Sequence, residues 1–390
     1  MRYRVGPRPG VGRRARRFVG TVAAPRPTYP PTITGPSLDE LLDLRAPQRS
    51  EGFRFDVLDR DLQVIGRIYP DLDSVPRVAN QTSRTMMRTV EGFRVSADQF
   101  ADVDTFADRI KPYYLLEGTA YALGVFLWAD ASRLRRSYGV DLEGTLVDQS
   151  VILDQTAVNT VHYPEGSMVR DAIVDVVTNL GFSSAGVGAS PWTVGHPCTW
   201  PGGQRTWLAI LRDLSFLGGY LPCYFDRDGL FRDDPSRDPA SREPVSLYRA
   251  DASGRIVAGS IVESDDLLDA PNRYVVISTG GGTAGSVTGT YDIPGSAPHS
   301  IPRRGFIIPR VIEAQGVGNV DQATVLARLA WEQDVNAFAW ADFSGPLDPR
   351  HDTWDTVDYL GDLWREVEWE MELVAGGLMR HGLRRVYEED

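Results

Sequence analysis

Glycine and proline punctuation constrains this chain more than any other feature of it. Thirty-eight glycines and 26 prolines interrupt 390 residues. Proline removes a backbone donor and glycine loosens the chain, so most runs stop short of a long helix. Where runs survive, many alternate apolar and polar side chains, the period of a strand with one buried face. With nine Trp and fifteen Tyr added, the reading is a loop-rich, β-dominated protein.

The length points to roughly two to four domains. A hydrophobic share of 42% beside 24% charged residues is that of a soluble globular protein. No apolar run reaches the roughly 18 residues needed to span a bilayer; the longest, Tyr121 to Ala129, reads as a buried strand. Lys111 is the only lysine, so the other 40 of the 41 basic residues are arginine. No demand for bidentate hydrogen bonding applies at so many sites. A GC-rich coding sequence accounts for the excess, which carries no functional meaning.

Charge is spread unevenly. Residues 1–50 carry ten Arg against three acids, leaving the body strongly acidic within a net charge of −12. A basic arm on an acidic body fits an arm that docks on its own assembly. The arm lacks the interleaved aromatics of a nucleic-acid binder, and the body is too acidic for a nucleic-acid groove. Within the arm, Arg16-Arg17 before Phe18-Val19 resembles a twin-arginine export signal, but Gly20 and Pro25 cut the apolar stretch too short. The expectation is therefore synthesis in the cytoplasm without export.

Residues 1–50 read as a Pro-rich extended arm, with one short helix at Ser37–Leu44. From 51 to 162 the pattern is β. Phe53, Phe55 and Val57 alternate with Arg54 and Asp56, "LQVIGRI" follows the turn at 59–61, and further strands are Thr85–Val95, Tyr121–Ala129 and Leu142–Asp148. Asp98–Ile110 reads as a link, and the strand count predicts a small antiparallel barrel. Residues 163–239 change character. Ser167 is placed to cap a helix with the apolar stripe Val169, Ala172, Ile173, Val176, Val177 and Leu180, and a second helix covers about 204–217. A hairpin follows, turning at Asp226–Gly229, so this region is an α+β insert. In 240–390 strands are expected at Arg255–Glu263 and Arg273–Ser278, with a helix near Asp321–Asn336 crossing a second β unit.

The sharpest motif is Gly280, Gly282 and Gly285, which hold G-x-G-x-x-G spacing directly after the strand-like Tyr274-Val275-Val276-Ile277. A dinucleotide site needs a helix behind those glycines, whose aligned amides hold the pyrophosphate. Gly289, Pro294, Gly295, Pro298 and Pro302 forbid one. The run therefore reads as a long mobile loop between strands. "DRDG" at 226–229 lacks the later ligands of an EF-hand and reads as a turn.

Cys198 and Cys223 are too few for a disulfide scaffold and read as buried reduced thiols. The five histidines, His162, His196, His299, His351 and His381, show no metal-ligand spacing. Nucleophile elbows are missing, and the acidic run "DPRHDTWDTVD" (348–358) reads as solvated loop charge. The expectation is thus no catalytic, cofactor-binding or metal-ligating residue.

Several segments, taken in order, carry a resemblance. They are "FRFDVLDRDLQVIGRI", then "VANQTSRTMMRTVEGFRV" with Asn80 and Arg84 before Glu91-Gly92, then "DRIKPYYLLEGTAYALGVFL" and "LVDQSVILDQ". After the insert come "APNRYVVIS", the Gly-rich loop, "ATVLARLAWEQ", "GPLDPRHDTWDTVDY" and "LWREVEWEMELVAGGLMRHGLRRV". This order resembles the tail hub (baseplate hub) or minor tail proteins of long-tailed phages that infect actinobacteria, over roughly residues 50–390.

The resemblance implies a β-rich α+β fold. Two tail-tube-like β-barrel domains at 51–162 and 240–390 would flank the insert at 163–239. It also implies a homotrimer whose six barrels form a pseudo-hexameric ring at the tail tip of the virion. Implied partners are a distal tail protein, a tape measure protein and other tail-tip or baseplate proteins. Viral DNA would pass through the channel without specific binding, and no stable membrane association is implied. Two other classes stay open on the residues alone: a tail-associated cell-wall hydrolase, and a receptor- or carbohydrate-binding tail-tip protein.

Overall fold

The computed structural model describes residues 49–387, apart from 72–73, 82–87, 97–98, 100–102, 137–138, 183–184, 237–242, 250–254, 279–285, 335–337 and 353. The arm up to residue 48 with its Ser37–Leu44 helix, Arg84 and the three motif glycines all lie outside the described residues.

Nine strands come first: β1 (Glu51–Leu58), β2 (Val64–Ile68), β3 (Arg77–Gln81), β4 (Arg88–Ser96), β5 (Arg109–Leu116), β6 (Thr119–Ala122), β7 (Phe126–Trp128), β8 (Ser132–Arg136) and β9 (Gly139–Asp148). Side-chain alternation drives them. In β5, Ile110, Pro112, Tyr114 and Leu116 are buried while their neighbours are half-buried. Two sequence expectations change here. The expected link at 98–110 ends in β5, which pairs with β1 along its whole length. The expected strand 121–129 breaks into β6 and β7 at Gly124, whose φ of 141° lies outside the strand region.

A mixed segment follows, with α1 (Ser150–Leu153), β10 (Val161–Tyr163), α2 (Val169–Asn179), β11 (Ala185–Val187), β12 (Cys198–Trp200), α3 (Trp207–Leu217), β13 (Tyr224–Phe225) and β14 (Phe231–Asp233). Val169, Ala172, Ile173, Val176 and Val177 are the buried stripe of α2. Its N-cap is Met168 rather than Ser167, whose hydroxyl instead donates to the Pro164 carbonyl at 2.8 Å. In α3 the Thr206 hydroxyl caps the Ala209 amide at 3.2 Å. The turn at 226–229 forms around Asp226, whose carboxylate accepts from the amides of Asp228 and Leu230, each at 3.0 Å.

The last segment holds β15 (Leu247–Tyr248), β16 (Val262–Asp265), β17 (Arg273–Ser278), β18 (Val287–Asp292), α4 (Ile301–Arg304), β19 (Pro309–Glu313), α5 (Val320–Gln333), β20 (Ala339–Pro346), β21 (Thr356–Tyr359), β22 (Asp362–Glu372) and β23 (Leu378–Arg385). The strand expected from Arg255 begins only at Val262. Gly259 at φ 79° and a turn closed by the Ser260 amide on the Val257 carbonyl occupy the start of that run.

The first and last strands of the described residues join one 15-stranded sheet, with a main path of β16-β20-β23-β22-β3-β4-β9-β7-β5-β1-β2. The join is β3 against β22, with Asn80 opposite Trp369 and Val78 opposite Met371. One hydrophobic core unites Phe55, Val90, Phe93 and Leu146 with Trp369, Met371 and Met379. A second collects the faces of α2 and α3 with Tyr274, Val276, Ala323, Leu326 and Trp331. The fold is β-rich with few helices. Among the described residues the sheet path ends openly at β2 and β16, and no closed barrel is found.

Candidate functional site

The run 348–358 is not a solvated loop. Asp348, His351 and Asp355 are buried, His351 completely so. The run leaves β20 and carries His351 inward, where it meets Tyr248 from β15, Glu366 from β22 and His381 from β23. The charge pattern on the page of the sequence gave no sign of this. Burial of a polar run depends on partners that lie far away along the chain.

These side chains close a ring of hydrogen bonds. The Nδ1 of His351 contacts Glu366 Oε2, and the Nδ1 of His381 lies 2.6 Å from Glu366 Oε1. The Tyr248 hydroxyl lies 2.6 Å from His351 Nε2 and 3.4 Å from His381 Nε2. One proton assignment satisfies every member. An imidazolium at His351 donates to Glu366 and to Tyr248; Tyr248 donates to His381; His381 donates its Nδ1–H back to Glu366.

The electrostatics agree. Burial opposes charge on His351, but the Glu366 carboxylate and its hydrogen bond outweigh it and raise the pKa. Burial prevails at His381, which is lowered and stays neutral. Burial disfavours the Glu366 carboxylate too, yet the two imidazoles hold its pKa below the usual range.

Asp348 flanks the ring, 3.6 Å from His351 Nε2. Arg350 donates to both its carboxylate oxygens, and the Ser246 hydroxyl adds a bond of 2.8 Å. Burial opposes its charge, and His351 and Arg350 together bring the pKa well below normal. Among the described residues, His351, Glu366 and His381 are the group whose side chains stand close enough to share an ion.

The other three histidines stay apart. His162 is exposed against Thr199, His196 is half-buried, and His299 stacks on Phe338. Cys198 and Cys223 are buried and form no disulfide, and burial raises their pKa values to about 11 and about 12. Neither forms a reactive thiolate at neutral pH. Behind the Gly-rich run stands β18, paired antiparallel with β17. A strand therefore occupies the place where a phosphate-holding helix would begin.

Next to the ring, Arg88 is fully buried and bonds Asp352 at 2.7 Å, with its guanidinium 5.8 Å from the Trp369 ring. Arg227 of the β13–β14 turn bonds the His351 carbonyl. Lys111 reaches Asp228 at 2.7 Å, and Gln149 donates to the Gly229 carbonyl at 2.6 Å. The ring and its neighbours thus tie the first strands, the mixed segment and the last strands together.

The open sheet ends have a different character. In β2, Val64 and Ile65 are exposed; beyond β16 Leu267 and Leu268 are exposed, as are Phe306 and Ile307. Arg304 fixes that second patch by donating to the carbonyls of Leu267 and Ala270. Exposed apolar residues on an unpaired edge are the usual mark of an association surface.

No protein-family model and no curated protein matches this sequence. Solved structures do match. A tail protein from Neisseria meningitidis aligns with TM-score 0.58 and 11% identity, over 86% of this chain and 97% of its own. The 43 kDa tail protein of prophage MuSo2 from Shewanella oneidensis gives 0.56 and 13%, over 86% and 98%. A prophage tail protein from Listeria monocytogenes gives 0.52 and 12%, over 85% and 94%. The chain has the fold of phage tail proteins.

Proposed function

We propose that this chain is a structural tail protein of a virion: a homotrimeric hub that joins the tail tube or distal tail ring to the tail tip. The observation that carries the reading is a fold shared with prophage tail proteins over nearly their whole length. In this reading β1–β9 form the tube-like unit of residues 51–162, and β20–β23 belong to the unit of 240–390. The segment 163–239 lies at the periphery. Three such pairs make a pseudo-hexameric ring, and the open, apolar-tipped ends at β2 and β16 supply contacts between copies.

The acidic body suits a DNA conduit, because negative walls do not retain passing DNA. Distal tail, tape measure and other tip proteins are the partners, and we assign the chain no catalysis. The actinobacterial host belongs to the same proposal. Light scattering of the purified protein, alone and with neighbouring tail proteins, tests it. A mass of three chains is expected. A stable monomer that enters neither ring nor virion overturns it.

A further inference from the structure

We propose that the buried histidine ring is a binding site for one divalent transition-metal ion of the zinc class, held between the Nε2 atoms of His351 and His381. Independently of any assembly, the ion would staple β15, the 347–355 loop, β22 and β23 into one unit.

Glu366 carries the first part of the argument. It receives the Nδ1 side of both imidazoles, one on each carboxylate oxygen. Histidines that bind metal almost always donate their other ring N–H to a carboxylate or carbonyl, which fixes tautomer and ring orientation. One carboxylate does this here for two rings, so both Nε2 atoms turn toward the same point, and an ion binding there releases the Nε2 proton of the His351 imidazolium. The Tyr248 hydroxyl marks that point, within 3.4 Å of each Nε2.

Spacing carries the second part. Ligands about 2.0–2.2 Å from a tetrahedral ion stand about 3.3 Å apart. Tyr248 Oη to His381 Nε2 is 3.4 Å, and Asp348 Oδ2 to His351 Nε2 is 3.6 Å. The 2.6 Å contact of Tyr248 with His351 has to open, by about 0.7 Å to reach that spacing. Two imidazoles, a phenol oxygen and a carboxylate oxygen then complete four positions.

Ligand type carries the third. Imidazole with oxygen donors selects zinc-class ions over calcium or magnesium, which prefer an all-oxygen shell. The closed shell leaves no position for water or substrate, so the site is structural rather than catalytic. Two buried carboxylates, Asp348 and Glu366, face the ring with the Arg350 guanidinium beside them. A cation enters favourable company there.

Because the ring is sealed from solvent, the ion enters as the chain folds. The test therefore uses full-length protein expressed with added zinc, or refolded with zinc or cobalt, and then dialysed against a weak chelator. Elemental analysis should give about one zinc per chain, and the cobalt form should show the intense visible bands of a four-coordinate site. The double variant H351A/H381A should lose the ion. E366Q keeps both histidines and should bind about 10–100-fold more weakly. Wild-type protein with no retained zinc and no cobalt bands overturns the proposal, as does a double variant that retains the ion. Should the double variant fail to fold, the wild-type metal content and cobalt spectrum decide alone.

Discussion

Two buried arginines close the C-terminal end of helix α5. Arg384 donates to the carbonyls of Glu332 and Trp331 at 2.9 and 2.7 Å, and Arg365 donates to the Glu332 carbonyl at 2.5 Å. The last carbonyls of a helix lack partners and carry partial negative charge, so cations there satisfy both needs. Replacing Arg384 with Ala removes two charged hydrogen bonds, leaving the Glu332 carbonyl to Arg365 and the Trp331 carbonyl to the Asp334 amide, and the expected loss is about 2 kcal/mol by urea denaturation. At sequence level the arginine excess carried no information, since 40 arginines cannot be sorted without their partners.

His299 makes a second prediction at this scale. Burial lowers its pKa to about 4, and it stacks face to face on Phe338. The folded state therefore refuses a proton that the unfolded chain accepts below about 6.5. Stability from this group is level above that pH and falls as pH drops from about 6.5 to about 4, by at most about 3 kcal/mol in all. H299F removes the titration and keeps the stack. The difference in unfolding free energy between wild type and H299F should therefore shift toward the variant across that window; parallel curves would refute the assignment.

Among the elements, strand β18 crosses α5 where neither has room to spare. A Cβ at Gly289 would sit 2.2 Å from the Ala323 carbonyl carbon and 2.3 Å from the Thr324 amide nitrogen. Backbone on both sides cannot give way, so G289A should force the helix off the sheet. A loss of about 2 kcal/mol in denaturant unfolding is expected, and an unchanged midpoint would contradict the packing. In the sequence Gly289 served only as an argument against a helix after the Gly-rich run.

That glycine shows which elements were legible. Period located β1, β2, β17, α2 and α3, because its signal is local. Strand β5 was hidden because Pro112 interrupts a pattern that pairing with β1 sustains. The buried ring was hidden for the same reason at longer range. His351, Glu366 and His381 come from a loop and two strands, and no spacing rule joins them.

At the scale of the whole molecule, the pairing of β3 with β22 decides the architecture, because it makes the two ends of the described chain one sheet. Nothing in residues 77–81 announces a partner nearly 300 positions away, so a reading by segments expected two closed units instead. The open ends that result offer one contact between copies, and the arm is a candidate for a second. It carries ten arginines, whereas the rest of the chain is strongly acidic. If the arm docks on a neighbouring copy, the attraction is between exposed charges and weakens as salt screens them. Deleting residues 1–50 should leave the unfolding midpoint unchanged, because β1 starts at Glu51 and the two main cores draw on later residues. The same deletion should shift the light-scattering mass from ring toward single chains, and rising salt should do likewise to the full-length protein but not to the truncated one. A truncated protein that assembles as fully as the intact chain, at every salt concentration, would show that the arm has no part in holding copies together.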